Sequence, residues 1–191
     1  MIRFDNVPPE VMQAMCTPMH LVLPPSASPS PSSPSHAAGS LYVGSMSAIT
    51  DYDLLRSCRV SHFVQVLDAP WLPPLPDTDG HGGKVTSFKI EILDTTSADL
   101  KPHLEEACNS IDRALRSGRN VLVHCQQGIS RSAAVVIAYL IRNHGMSYDA
   151  AYALVKRQRA CIKPNSGFVN ALKEWELSWR RPAMGNRRFT T

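Results

Sequence analysis

The stretch Val121-Leu122-Val123-His124-Cys125-Gln126-Gln127-Gly128-Ile129-Ser130-Arg131-Ser132 has the residue types and spacing to do chemistry on an anion. An apolar run ends in a His-Cys pair, a turn with one glycine follows, and an Arg-Ser pair opens a long apolar segment. Five residues separate Cys125 from Arg131. This spacing lets the N–H groups of residues 126–131 curl into a nest around a tetrahedral dianion, with Cys125 beneath it and Arg131 beside it. Only the thiolate form of a cysteine attacks, and unpaired amides, a helix N-terminus and a nearby cation all favour that form. Gly128 permits a backbone angle or a close ligand approach that a side chain blocks. Arg131 offers a planar two-pronged donor to two phosphoryl oxygens, a geometry lysine does not reproduce. Ser132 is placed to donate to the sulfur and ease its departure from a phosphocysteine. His124 reads as a support that hydrogen-bonds backbone and holds the loop, rather than as a base. The chemistry indicated is phosphate-ester hydrolysis by a cysteine thiolate, with Gln126, Gln127, Gly128, Ile129, Ser130 and Arg131 binding the phosphate. A cysteine after an apolar strand is by itself more often a small core residue, but that reading leaves the glycine and the Arg-Ser pair without a purpose. Zinc is a poor rival, because no second cysteine or histidine sits at ligand spacing around the pair.

A thiolate nucleophile needs a partner that protonates the leaving oxygen. Glu91, Asp94 and Asp99 are the carboxylates in reach. Ser87 to Leu93 alternates enough to be a strand, and Asp94 falls at its C-terminal end. Open α/β sheets bind ligands at the carboxyl ends of their strands, where Cys125 also sits. Asp94 is the expected acid, against the competing reading of a turn-former; Asp99 reads as a helix cap ahead of Leu100.

The elements that must position these residues follow from periodicity. The pattern predicts a strand at 41–45, a helix at about 48–57, a strand at 62–68, a loop at 69–86, a strand at 87–94, a helix at 98–117, a strand at 121–125 and then three helices. In the 98–117 helix Leu100, Leu104, Ile111 and Leu115 share one face, and Gly118 suits the C′ position. Val121-Leu122-Val123 has the look of a fully buried strand. Ala133 to Ile141 is apolar nearly all round, as a central helix must be. Ser147 caps a helix at 148–159, and a last helix spans 166–179. Strands separated by helices indicate an α/β fold with a mainly parallel central sheet flanked by helices. The 69–86 loop, rich in proline and glycine, either shapes the cleft or is a plain surface insertion.

With 191 residues and 43% hydrophobic content, a single domain with extensions is expected. Residues 24–36, from Pro24 to His36, are proline and serine throughout apart from Ala27 and His36, and bury little. Residues 1–37 are therefore expected to be a disordered extension and linker, 38–179 the catalytic domain, and 180–191 a basic tail. Ser28, Ser30 and Ser33 each precede proline, so the linker is either a site of proline-directed phosphorylation or a plain spacer. No continuous apolar segment resembles a signal peptide or a membrane span. The five cysteines are odd in number and unpatterned, which suggests reduced thiols of an intracellular protein, in cytoplasm or nucleus. The formal charge of +4 equals the four arginines of the tail (Arg180, Arg181, Arg187 and Arg188), so the rest of the chain is balanced and offers no basic face for nucleic acid.

The nine residues from His124 to Ser132 resemble the signature of the cysteine-dependent dual-specificity protein phosphatases, within the protein tyrosine phosphatase superfamily. Leu41-Tyr42-Val43-Gly44 is similar to that domain's first strand. Val155-Lys156-Arg157-Gln158-Arg159 and Pro164-Asn165-Ser166-Gly167-Phe168 are similar to its closing segment. The resemblance covers roughly residues 40–178, and the lack of a kinase-docking module resembles the atypical, small subgroup. It implies a protein tyrosine phosphatase-like fold and hydrolysis of phosphotyrosine and phosphoserine or phosphothreonine in protein substrates, with no metal or other cofactor. It also implies the acid role for Asp94 and a loop-bracing role for Asn165, which reads equally well as the cap of the helix starting near Ser166. The position before the loop glycine is commonly alanine in that family and is Gln127 here; the residue after Arg159 is usually proline and is Ala160 here. A phosphoinositide or RNA phosphatase on the same fold is an alternative, weakened by the uncharged Gln126, Gln127 and Ile129. A non-catalytic phospho-binding adaptor is another, opposed by the presence of both Cys125 and Arg131.

Overall fold

The structure is a computed structural model that describes residues 7–25, 38–69 and 71–179. Its frame is a five-stranded sheet in the order β1-β2-β5-β3-β4, built from β1 (Met19–Leu23), β2 (Leu41–Gly44), β3 (Val60–Val66), β4 (Thr86–Ile90) and β5 (Asn120–His124). β2, β5, β3 and β4 run parallel, so their carboxyl ends meet at one edge: Gly44 pairs with His124, Gln65 with His124, and Val66 with Ile90. Only β1 runs antiparallel, along β2. The helices among the described residues are α1 (Pro9–Cys16), α2 (Ser47–Thr50), α3 (Tyr52–Ser57), α4 (Lys101–Arg116), α5 (Arg131–His144), α6 (Tyr148–Gln158) and α7 (Ser166–Trp179).

Alternation along β5 divides the core. Val121 and Val123 face the large cluster with Leu104 and Ile111 of α4 and nearly all of α5, whereas Leu122 faces a smaller one with Ile49, Leu55 and Phe63. Both faces are covered: β3 is buried along its whole length although it includes Ser61, His62 and Gln65, and β5 carries the apolar run Val121 to Val123. α5 is buried from Ser132 to Ile141 and packs against α4, α6 and α7, which makes it the rigid post behind the anion loop. Gly145, at φ +65°, ends α5 in the left-handed conformation. Ser147 caps α6, its hydroxyl accepting from Ala150 N–H at 3.2 Å.

Several expectations need correction. The extension is ordered over residues 9–23: α1 buries Ala14, β1 buries Met19 and Val22, and β1 adds a strand to the sheet. The folded unit therefore begins at α1 rather than at residue 38. Residues 26–37 and the tail 180–191 lie outside the described residues. The helix expected at 48–57 breaks into α2 and α3 at Asp51, whose carboxylate caps α3 by accepting from Leu54 N–H at 3.0 Å. The strand expected at 87–94 stops at Ile90, because its only neighbour, β3, ends opposite at Val66. α4 starts at Lys101, where Pro102 fits the first turn; its N-cap is Leu100, without a side-chain cap bond, and Asp99 one residue earlier accepts from Lys101 N–H at 3.1 Å. Residues 71–85 pack Leu72, Leu75 and Val85 onto the smaller core cluster.

Candidate active site

β5 delivers Cys125 to the carboxyl edge of the sheet, and α5 begins six residues later at Arg131. The carbonyls of residues 126–129 are all held from outside the loop. Gln126 O accepts from Met46 N–H at 3.1 Å, and Ile129 O from Lys163 N–H at 2.8 Å. Arg159 supplies the rest, donating from Nη2 to Gln127 O at 3.1 Å and from Nε to Gly128 O at 2.8 Å. A planar trans peptide points its N–H opposite to its C=O. Pinning these four carbonyls outward therefore turns the N–H groups of Gln127, Gly128, Ile129 and Ser130 to the other side. The Gly128 N–H meets the Cys125 sulfur at 3.2 Å. Gly128 adopts φ +68°, and a Cβ there would lie 2.7 Å from both the Arg159 guanidinium and the Gly44 backbone. Glycine is required here on both grounds.

The sulfur is nearly buried and lies 3.3 Å from Ser132 Oγ. That hydroxyl is also within 3.4 Å of Gly44 O. It thus has two acceptors, and an ionised sulfur is the better one. Arg131 is held by one bond, Nη1 to Ile92 O at 3.3 Å, while its buried Nε has no hydrogen-bond partner. Asp94 Oδ2 stands 3.8 Å from that Nε. Asp94 Oδ1 is taken: Ser130 Oγ donates to it at 2.6 Å and Asn165 Nδ2 at 2.9 Å. Asn165 also caps α7, its Oδ1 accepting from Phe168 N–H at 3.0 Å, and its own N–H donates to Ser130 Oγ at 3.2 Å. Cap and brace are one arrangement, with the brace acting on Ser130 and Asp94. Asp94 stands four residues past β4, in a loop rather than at a strand end.

His124 is fully buried, and burial pushes its pKa down to about 4, with the Cys125 backbone pulling weakly the other way. Neither ring nitrogen makes a well-aligned hydrogen bond, and among the described residues the Cys125 backbone is the one group close enough to act on the ring. The ring is a neutral packing element. Gln126 and Gln127 are exposed at the rim. Among the described residues no group of three or more His, Cys, Asp or Glu could hold a metal ion, and no helix is long and apolar enough to cross a membrane.

Arg159 is the residue whose part sequence reasoning missed. It is the largest fully buried side chain among the described residues, and its Nη1 donates to Thr17 O at 2.8 Å and to His20 Nδ1 at 2.9 Å. Burial lowers its pKa from its very high ordinary value, with Cys161 and Cys125 acting in the opposite sense. In the basic run from Lys156 to Arg159 no local signal marks which cation turns inward.

Residues 41–178 match the family described as dual specificity phosphatase, catalytic domain. Dual specificity protein phosphatase 1B of Arabidopsis thaliana is 38% identical over 138 residues, covering 72% of this chain and 78% of that protein. Human dual specificity phosphatase 28 is 36% identical over 167 residues, covering 83% of this chain and 91% of that protein. Its crystal structure superposes with a TM-score of 0.68 at 31% identity, over 85% of this chain and 95% of that one. The human tyrosine phosphatase-like serine/threonine/tyrosine-interacting protein superposes equally well, with a TM-score of 0.69 at 29% identity over 84% and 97% of the two chains. The chain belongs to the dual specificity phosphatases of the protein tyrosine phosphatase superfamily, in their atypical subgroup, and is a protein-tyrosine/serine/threonine phosphatase.

Proposed function

We propose that this phosphatase works through a phosphocysteine on Cys125, with Asp94 as acid and then base and no metal ion. The observation that carries the reading is the inward ring of N–H groups above a sulfur already contacted by Gly128 N–H. The Cys125 thiolate attacks phosphorus as the bond to the leaving oxygen breaks. The loop amides and the unpartnered Arg131 Nε hold the equatorial oxygens. The leaving tyrosine, threonine or serine oxygen takes a proton from Asp94. Oδ2 is the atom for this exchange, because Oδ1 is occupied by Ser130 and Asn165. Water then attacks phosphocysteine, Asp94 accepts its proton, and Ser132 donates to the departing sulfur. The substrates are phosphorylated proteins. All five cysteines are free thiols, which supports a reducing compartment, cytoplasm or nucleus.

A phospho-binding adaptor has the same fold in reach, since an interacting protein superposes as well as an enzyme does. The intact pair Cys125 and Arg131 favours hydrolysis, and the uncharged loop side chains disfavour phosphoinositide. The test is aryl phosphate hydrolysis with and without chelator. Cys125→Ser is expected to abolish turnover with the fold kept, and Asp94→Ala to lower it by roughly 10²–10⁴-fold. Activity surviving in Cys125→Ser, or lost to chelator, would end this reading.

A further inference from the structure

A cleft of about 420 Å³ opens beside the phosphate loop. Gln126, Gln127 and Ile129 of the loop line it together with Ser45, Met46, Ser47 and Thr50 and with Met15 of α1, so apolar side chains share it with neutral polar ones. No Lys, Arg, Asp or Glu lines it. The nearest cation beneath the loop, Arg159, is fully buried with its donors committed to Gln127 O, Gly128 O, Thr17 O and His20 Nδ1. It has nothing to offer an acidic group entering the cleft.

The same arginine fixes the cleft's geometry. Thr17 follows α1 directly and its carbonyl takes one Arg159 donor, while the loop carbonyls take two others. One planar fork therefore ties the helix carrying Met15 to the loop carrying Gln127. β1 adds a second tie, because Pro18 O accepts from Ser45 N–H at 2.9 Å. Met15 is 38% exposed, an apolar side chain held toward solvent next to a phosphate site. Methionine adapts to irregular apolar partners.

We infer that this cleft is a specificity site that takes an uncharged, apolar side chain adjacent to the phosphorylated residue, and that Met15 is its determinant on the N-terminal segment. The inference rests on the phosphatase reading above. A peptide bound by its phosphate has its neighbouring side chain within reach of the loop's flank, and here that flank is uncharged, with Met15, Met46 and Ile129 as its apolar side chains. A carboxylate or a second phosphate in the same place would lose water and find no cation, only the neutral hydroxyl and amide groups of Ser47, Thr50, Gln126 and Gln127.

The experiment uses the full chain and a phosphotyrosine peptide series with Leu, Ala, Glu or phosphoserine on either side of the phosphotyrosine, alongside an aryl phosphate. Leu is expected to exceed Ala in kcat/KM by roughly tenfold at one of the two positions, the usual scale for an apolar pocket, with Glu and phosphoserine lowest. Met15→Lys and, from the opposite wall, Thr50→Lys should each shift the Leu-to-Glu ratio toward Glu by roughly fivefold, the limit for an exposed ion pair. Equal rates across the series, a preference for Glu or phosphoserine, or ratios unmoved by both lysines would overturn the inference while aryl phosphate turnover upholds the phosphatase reading. No turnover of aryl phosphate would overturn both.

Discussion

At the scale of single residues the site divides its labour between atoms already committed and atoms left free. Asp94 Oδ1, the carbonyls of 126–129, the Gly128 N–H and one Arg131 nitrogen are committed to hydrogen bonds; Asp94 Oδ2 and Arg131 Nε face each other only as an ion pair at 3.8 Å. Ser132 stands between, 3.3 Å from the sulfur and 3.4 Å from Gly44 O. Its hydroxyl matters most when sulfur leaves as an anion, so Ser132→Ala should slow breakdown of phosphocysteine more than its formation. Rapid-mixing assays of an aryl phosphate are then expected to show a burst of phenol followed by slow turnover. A uniform slowing with no burst would assign Ser132 to loop support alone. Most of these roles were legible in the sequence because the residues are neighbours: a nucleophile, six loop positions, an arginine and a serine in one run. Asp94 was legible only approximately, since a strand end is a softer signal than a motif.

At the scale of elements, the loop's shape depends on groups that no local pattern reveals. Arg159 lies 31 and 32 residues from the carbonyls it holds in the loop, and 142 from Thr17. The sequence shows a basic run and a scattering of apolar residues near the N-terminus; only packing makes them one clamp. β1 was missed for the same reason, since a five-residue edge strand carries too little periodicity to distinguish it from extension. Arg159→Met should leave the Gln127, Gly128 and Thr17 carbonyls without a donor, each costing about 1–3 kcal/mol when buried. The expected result is a lower melting temperature together with reduced aryl phosphate turnover. Arg159→Lys should not restore either, because a single ammonium does not span these acceptors. Wild-type turnover in Arg159→Met would show that the loop holds its shape unaided.

At the scale of the whole molecule, several histidines are held neutral by the core. Burial and the Arg119 and Arg113 charges push His62 down to about 4, burial does the same to His124, and His20 and His144 are lowered too. The unfolded chain therefore binds more protons than the folded one between about pH 4 and the ordinary value of 6.5. Stability should be full above that window and fall as pH drops through it. His62 alone accounts for about 2 kcal/mol between pH 7 and pH 5, and thermal melts of His62→Gln should show a correspondingly flatter pH dependence. A melting temperature independent of pH from 7 to 4.5 would contradict this. The mainly parallel sheet was legible in strands separated by helices and the central α5 in the apolar run from Ala133 to Ile141, whereas the strand order was not. Together they set the one geometry on which the rest depends, a sulfur under a ring of amides. The most direct test is the mass of the intact protein, acid-quenched during turnover of an aryl phosphate. The account predicts a gain of one phosphoryl group, located on Cys125 by fragmentation and absent in Cys125→Ser. Full turnover with no such adduct, or an adduct on another residue, would contradict it.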